Sequence, residues 1–334
     1  SSRANFNLRR TRSSSGNSSL DADHVISKRI CLFVSRMSLI EAPRAALTLC
    51  KQPVSLVHNH LPMPESPMPN QPKFLDHIDR MTGYIPGEQP RQGQVIKLNT
   101  NENPYPPSPK ILETIRESVT QDLRKYPDAG ASGVRSRLSN ILGAPAENFV
   151  IGNGSDELLN VILRCFAGPG DRVVFPTPTY PYYDKLIALQ DAVGVPVPLD
   201  HDFNLPLDDL VQEDARVTLL ANPNSPTGIG LSIDQLDELA QRVSGILVID
   251  EAYVDFSQHQ AIGVARKHKH VIVTRTLSKS FSLAGIRVGF AFASPEIIAG
   301  LWKVKEHYNV SSLSLVAAEA ALDDIGSMHD HARR

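Results

Sequence analysis

The sequence predicts an α/β fold: a mainly parallel, seven-stranded sheet with helices on both faces, plus an incomplete small domain. Two observations carry this expectation. From about Asn140 onward, short apolar runs alternate with longer amphipathic stretches, the rhythm of strand–helix–strand units. Several runs are apolar at nearly every position, as strands covered on both faces are, and they stop abruptly at acids, prolines or glycines. With 334 residues, 41% hydrophobic and 21% charged, the chain can bury a large core and has room for two domains.

Strands are expected near Phe149, Val173, Val195, Val217, Ile246, Val271 and Val288, and helices near Asp156, Tyr182, Ile233 and Ala299. The Phe149 strand runs into Gly152-Asn-Gly-Ser-Asp-Glu157 and then into an amphipathic stretch. Strand, glycine turn and helix in that order aim free N–H groups and the positive helix end at an anion, with Gly154, Ser155 and Asp156 as its lining. The Val173 strand ends in a proline-stiffened loop bearing Tyr180, Tyr182 and Tyr183, where Tyr180 can stack on a flat ring. The Val217 strand stops at Asn222-Pro-Asn-Ser-Pro-Thr-Gly228, a rigid turn that holds Asn224 or Ser225 still. Ile246-Leu-Val-Ile delivers Asp250 at the carboxyl end of a buried strand, with Tyr253 close behind. The Val271 strand leads into Thr276-Leu-Ser-Lys-Ser-Phe-Ser-Leu-Ala-Gly-Ile-Arg287.

Each of these pieces has a plainer reading taken singly: a surface lysine, a strand-end acid, a core tyrosine, an ordinary Asn-Pro turn. Together they describe one chemistry. Lys279, an amine between two hydroxyl residues, suits a Schiff-base lysine beside a phosphate site. A buried Asp250 needs a partner, and a pyridinium nitrogen is a good one. Tyr253, with Asn224 or Ser225, can reach a ring oxygen, while Ser278 and Arg287 grip phosphate oxygens. The implied cofactor is pyridoxal 5′-phosphate. A nicotinamide dinucleotide is excluded because its fingerprint wants a small residue where Glu157 stands, and a carboxylate there repels pyrophosphate.

From about Pro72 to the end the chain resembles the fold-type I pyridoxal-phosphate aminotransferases, most closely the histidinol-phosphate aminotransferase group. The matching segments are Leu98-Asn-Thr-Asn-Glu-Asn-Pro104, Lys125-Tyr-Pro-Asp128, Gly152-Asn-Gly-Ser-Asp-Glu157, Pro178-Thr-Tyr180, Asn222-Pro-Asn-Ser-Pro-Thr-Gly228, Asp250-Glu-Ala-Tyr253 and Thr276 to Arg287. The resemblance implies that Lys279 carries the cofactor and moves the proton, Asp250 binds the ring nitrogen, Tyr253 and Asn224 the ring oxygen, and Tyr180 stacks. Ser155, Asp156, Ser278 and Arg287 then surround the phosphate. It also implies a homodimer in which Tyr126 serves the neighbouring subunit's phosphate site, and substrate contacts from Tyr84, Asn103, Tyr180 and Asn224. Two departures stand out: Ser225 occupies the place of the family's asparagine before Pro-Thr-Gly, and the arginine that pairs with a substrate carboxylate has no matching position.

By resemblance the reaction is amino transfer between L-histidinol phosphate and 2-oxoglutarate, in histidine biosynthesis. The alternatives are a threonine-phosphate decarboxylase, an aromatic amino-acid aminotransferase and, from another class, a non-catalytic pyridoxal-phosphate-binding fragment.

Residues 1–70 are expected to be a disordered or non-native leader, rich in serine, arginine and proline, with the native start near Met63 or Met68. Ser1 to Leu20 hold four arginines, seven serines and no acid, so organelle targeting is the competing reading. Residues 71–128 are expected to form an amino-terminal arm and part of a small domain, 129–300 the large cofactor domain, and 301–334 the start of a carboxyl-terminal small domain cut short. A net charge of −2 suggests neither nucleic-acid nor membrane partners. Three scattered cysteines fit a reducing, cytoplasmic compartment, and no His/Cys/Asp spacing suggests a metal.

Overall fold

Residues 73–83 and 96–334 are described by a computed structural model. The expected leader and Tyr84 lie outside the described residues. Seven strands form one sheet: β1 (Phe149–Gly152), β2 (Arg172–Thr177), β3 (Val193–Pro198), β4 (Ala215–Ala221), β5 (Ile246–Asp250), β6 (Val271–Thr276) and β7 (Gly289–Phe292). Their spatial order is β1-β7-β6-β5-β4-β2-β3. Every expected strand is present, and helices Ser155–Phe166, Tyr182–Leu189, Ile233–Arg242 and Pro295–Val304 fall where they were expected.

The central strands are buried along nearly their whole length, and their side chains alternate between two cores. Val217, Leu219, Val248 and Ile272 pack with helix Ser155–Phe166 on one face. Leu220, Leu247, Ile249, Val271 and Val273 pack on the other, with Leu236, Leu239 and Val264 from helices Ile233–Arg242 and Ile262–Lys267. Each fully buried aliphatic side chain contributes about 1.5–3 kcal/mol, so the two-sided apolar pattern of the strands is itself what fixes the layers.

β7 alone runs against its neighbours β1 and β6. The connection from β6 to β7 holds only the single turn Ala284–Ile286, too little helix for a parallel crossover, so the chain returns antiparallel. At the opposite rim, β3 pairs, among the described residues, with β2 only. Val193 and Leu199 donate inward to Asp171 and Thr177, so the odd positions face β2, and Pro196 and Pro198 occupy outward-facing donor positions.

Capping residues set the helix starts. Ser232 and Gln235 form a reciprocal capping box, and Ser294 caps a helix that begins with Pro295. Among the described residues, no helix is long and apolar enough to cross a membrane. The carboxyl ends of β4, β5 and β6 share one edge of the sheet, beside the place where connections leave in opposite directions between β2 and β4. Open α/β sheets bind ligands at that place.

Candidate active site

Asp250, the last residue of β5, is 5% exposed. Its Oδ1 accepts from the Thr274 hydroxyl on the adjacent β6 (3.2 Å) and from the Ala252 N–H (3.2 Å), and its Oδ2 accepts from the Tyr183 hydroxyl (3.0 Å). All three donors are neutral. Burial pushes the carboxyl up to about 6, reinforced by nearby Asp156 and opposed by the Tyr183 and Thr274 donors. The Tyr183 phenol is pushed well above its ordinary value, first by burial and then by Asp250.

Opposite this acid lies a cradle of donors. Gly154 has φ +90, and a methyl group there would overlap the Arg287 guanidinium, so only glycine lets helix Ser155–Phe166 start against that arginine. Arg287 itself is left-handed at φ +58 and donates from Nη1 to Ser278 Oγ (3.1 Å) and from Nη2 to Asp156 Oδ2 (3.4 Å). Ser155, at the first position of the helix, offers the positive helix end to the same space.

Lys279 follows β6. Its Nζ donates to the Thr100 carbonyl (3.2 Å) and lies 5.3 Å from the centre of the Tyr253 ring. Tyr253 in turn accepts at its hydroxyl from Asn101 Nδ2 (3.0 Å). The upstream segment 97–103 therefore lies against both residues.

Ser155, Asp156, Tyr180, Asp250, Tyr253, Ser278, Lys279 and Arg287 all line one cavity, as does Ser225. Tyr180 also donates its hydroxyl to Asp156 (3.1 Å). Three expected residues are placed elsewhere. Asn224 is not among the cavity residues; its Nδ2 donates to the Pro178 carbonyl and to Thr227, and its Oδ1 accepts from Thr179 (2.7 Å). Its amide is used up bracing one loop against another, and its neighbour Ser225 reaches the cavity instead. Asn103 turns its amide to the main-chain oxygens of Lys279 (3.1 Å) and Ser280 (3.2 Å). Tyr126 is 80% exposed, outside the cavity, and stacks on Tyr308 with ring centres 4.5 Å apart.

The sequence assigned no site role to Tyr183, Thr274, Thr100 or Asn101. The signal for the first was its position: Tyr183 stands three residues after Tyr180, in the opening turn of helix Tyr182–Leu189, and its N–H bonds back to the Tyr180 carbonyl. Thr274 interrupts an apolar strand directly across from Asp250, a pairing that depends on sheet order.

Comparison with known proteins assigns the family. Residues 93–334 match the model for aminotransferase class I and II. The chain belongs to the class I and II aminotransferases. This aminotransferase is 45% identical over 252 residues to histidinol-phosphate aminotransferase 1 of a Nostoc species, covering 75% of this chain and 71% of that one. It is 47% identical over 249 residues to the histidinol-phosphate aminotransferase of Geotalea uraniireducens, covering 74% and 72%. A solved histidinol-phosphate aminotransferase from Sinorhizobium meliloti, in complex with pyridoxal-5′-phosphate, superposes with a TM-score of 0.67 at 30% identity, over 70% of this chain and 66% of that one. A Thermus thermophilus aspartate aminotransferase shares the fold, with a TM-score of 0.69 at 19% identity.

The cofactor of this aminotransferase is pyridoxal 5′-phosphate, and the cavity fits it at both charged ends. Asp250 is a buried carboxylate whose three hydrogen-bond donors are all neutral, which suits a protonated ring nitrogen. Arg287, Ser278 and the helix start at Ser155 suit a phosphate.

Proposed function

We propose that this chain transfers an amino group between L-histidinol phosphate and 2-oxoglutarate as a step in histidine biosynthesis, acting as a cytoplasmic homodimer. The observation that carries the reading is the meeting of Lys279, buried Asp250 and the Arg287 cradle in one cavity, in a chain whose relatives bear that enzyme's name.

Bound pyridoxal phosphate supplies an electron-accepting ring, which lowers the cost of removing a proton from the substrate carbon beside the amine. Asp250 would keep the ring nitrogen protonated, and Tyr180 would cover a face of the ring. Lys279 would hold the cofactor covalently and, once displaced by the substrate amine, move the proton. Tyr253 and Ser225 would donate at the ring oxygen. The Asp156 carboxylate would repel phosphate, so its part is to orient Arg287 and Tyr180 while its backbone N–H faces the anion. Tyr126, exposed and outside its own cavity, is free to complete a neighbouring copy's cradle.

The test is stoichiometric. Incubated with L-histidinol phosphate, 2-oxoglutarate and pyridoxal phosphate, the chain should form glutamate and the keto phosphate in equal amounts. Carbon dioxide release from threonine phosphate, or faster turnover of phenylalanine, would replace this reading.

A further inference from the structure

Tyr183 is fully buried at the head of helix Tyr182–Leu189, and it does not line the cavity. Its ring meets Tyr180 edge-on, with centres 5.6 Å apart and planes at 86°. A phenylalanine would fill the same space. The hydroxyl is therefore not explained by packing, and a hydroxyl in an apolar layer is costly unless it is bonded. Its bond goes to Asp250 Oδ2, on the side of the carboxylate opposite to the oxygen held by Thr274 and Ala252.

The three donors share a property with chemical consequence. They are neutral, so they orient the carboxylate without cancelling its charge; an arginine or lysine in their place would compete with the ring nitrogen for it. We propose that Tyr183 is a positioning residue for amino transfer: its phenol proton fixes the Asp250 carboxylate in place and keeps its charge available to the cofactor's ring nitrogen. Other titratable groups line the cavity beside that carboxylate. Asp156 faces it from helix Ser155–Phe166, Tyr180 from the loop after β2, Tyr253 from beyond its own strand, and Lys279 and Arg287 from the segment after β6. Of these, Asp156 pushes the Asp250 carboxyl upward, so Tyr183 works against both burial and a neighbouring charge.

The inference rests on the cavity being the pyridoxal-phosphate site, and its test separates the two claims. In the cofactor-free chain, carbon-13 NMR of labelled aspartate carboxyls follows Asp250 directly. Tyr183→Phe should raise the midpoint of that titration by roughly one pH unit. Placing 3-fluorotyrosine at position 183 keeps the ring and strengthens the donor, so it should move the midpoint down; this second form serves if the phenylalanine variant folds poorly. In binding, Tyr183→Phe should weaken pyridoxal phosphate about tenfold yet leave its 1-deaza analogue, which has no ring nitrogen, within about twofold. Equal weakening of both ligands, or a midpoint that stays in place in both variants, would overturn the proposal. If the unaltered chain binds neither ligand, the cavity assignment fails and the titration still decides the role of Tyr183.

Discussion

Asn103 donates its side-chain amide to the main-chain oxygens of both Lys279 (3.1 Å) and Ser280 (3.2 Å), tying an upstream segment to the turn that follows β6. Its own Oδ1 accepts from the Tyr105 N–H (3.0 Å), which fixes the amide's orientation. Replacing it by alanine removes both ties. Asn103→Ala should lower stability by about 1–3 kcal/mol and weaken cofactor binding, measured by urea unfolding and equilibrium dialysis.

Lys279→Ala should abolish covalent attachment of pyridoxal phosphate and leave the fold unchanged, because the side chain is only partly buried and its contacts are polar or with one ring face. Borohydride reduction followed by peptide mass mapping reads the attachment. A labelled peptide persisting in the variant would place the reactive amine elsewhere.

Asp250 gives the cofactor-free chain a signed pH dependence. Its carboxyl sits at about 6 in the fold against an ordinary value of 3.8, because burial disfavours the charged form. A raised carboxyl contributes stability that is complete below the unfolded value and is lost as pH rises through the folded one. The wild-type chain should therefore lose roughly 3 kcal/mol relative to Asp250→Asn between about pH 4 and 6, as followed by urea unfolding across that window. The same variant should bind cofactor and yet turn over far more slowly, since a neutral amide does not hold a pyridinium charge.

Gly154→Ala introduces a methyl group where the Arg287 guanidinium lies, at a backbone φ of +90 that side chains rarely adopt. Displacement of Arg287 should weaken pyridoxal phosphate by at least about tenfold. Inorganic phosphate should lose its protection against thermal unfolding in parallel, as expected of an anion held by the same cradle.

Glu251 and Arg275 form a buried pair behind the site, with oxygen and nitrogen 2.7 Å apart and side chains 0% and 11% exposed. Glu251→Gln leaves the arginine without its countercharge and should destabilise the fold by about 3–5 kcal/mol. Cofactor affinity of the molecules that remain folded should change little, which distinguishes this acid from its neighbour Asp250.

The strands and the cavity residues at their ends were legible because they depend on local pattern: apolar runs, glycine turns, and polar residues where a run stops. What stayed hidden depends on which strands become neighbours. Thr274 touches Asp250 only because β5 and β6 pair in that register, and Thr100 meets Lys279 across a long stretch of chain. The reversed direction of β7 follows from the short connection Leu277 to Val288, a length constraint rather than a hydrophobic period. Asn224 and Ser225 show the limit at finer grain. Adjacent residues in a rigid turn face different ways, and only the loop–loop bonds to Pro178 and Thr179 decide which one reaches the cavity.

The alternation along β3 has a consequence beyond this chain's own packing. A foreign strand that tried to add to that rim would need a donor at each outward-facing position, and Pro196 and Pro198 provide none. Gly194 is left as the lone outward amide of the strand, too little to hold a partner in register. Among the described residues the sheet thus ends at β3 for chemical reasons, and crowded copies of the protein are kept from zipping together along it.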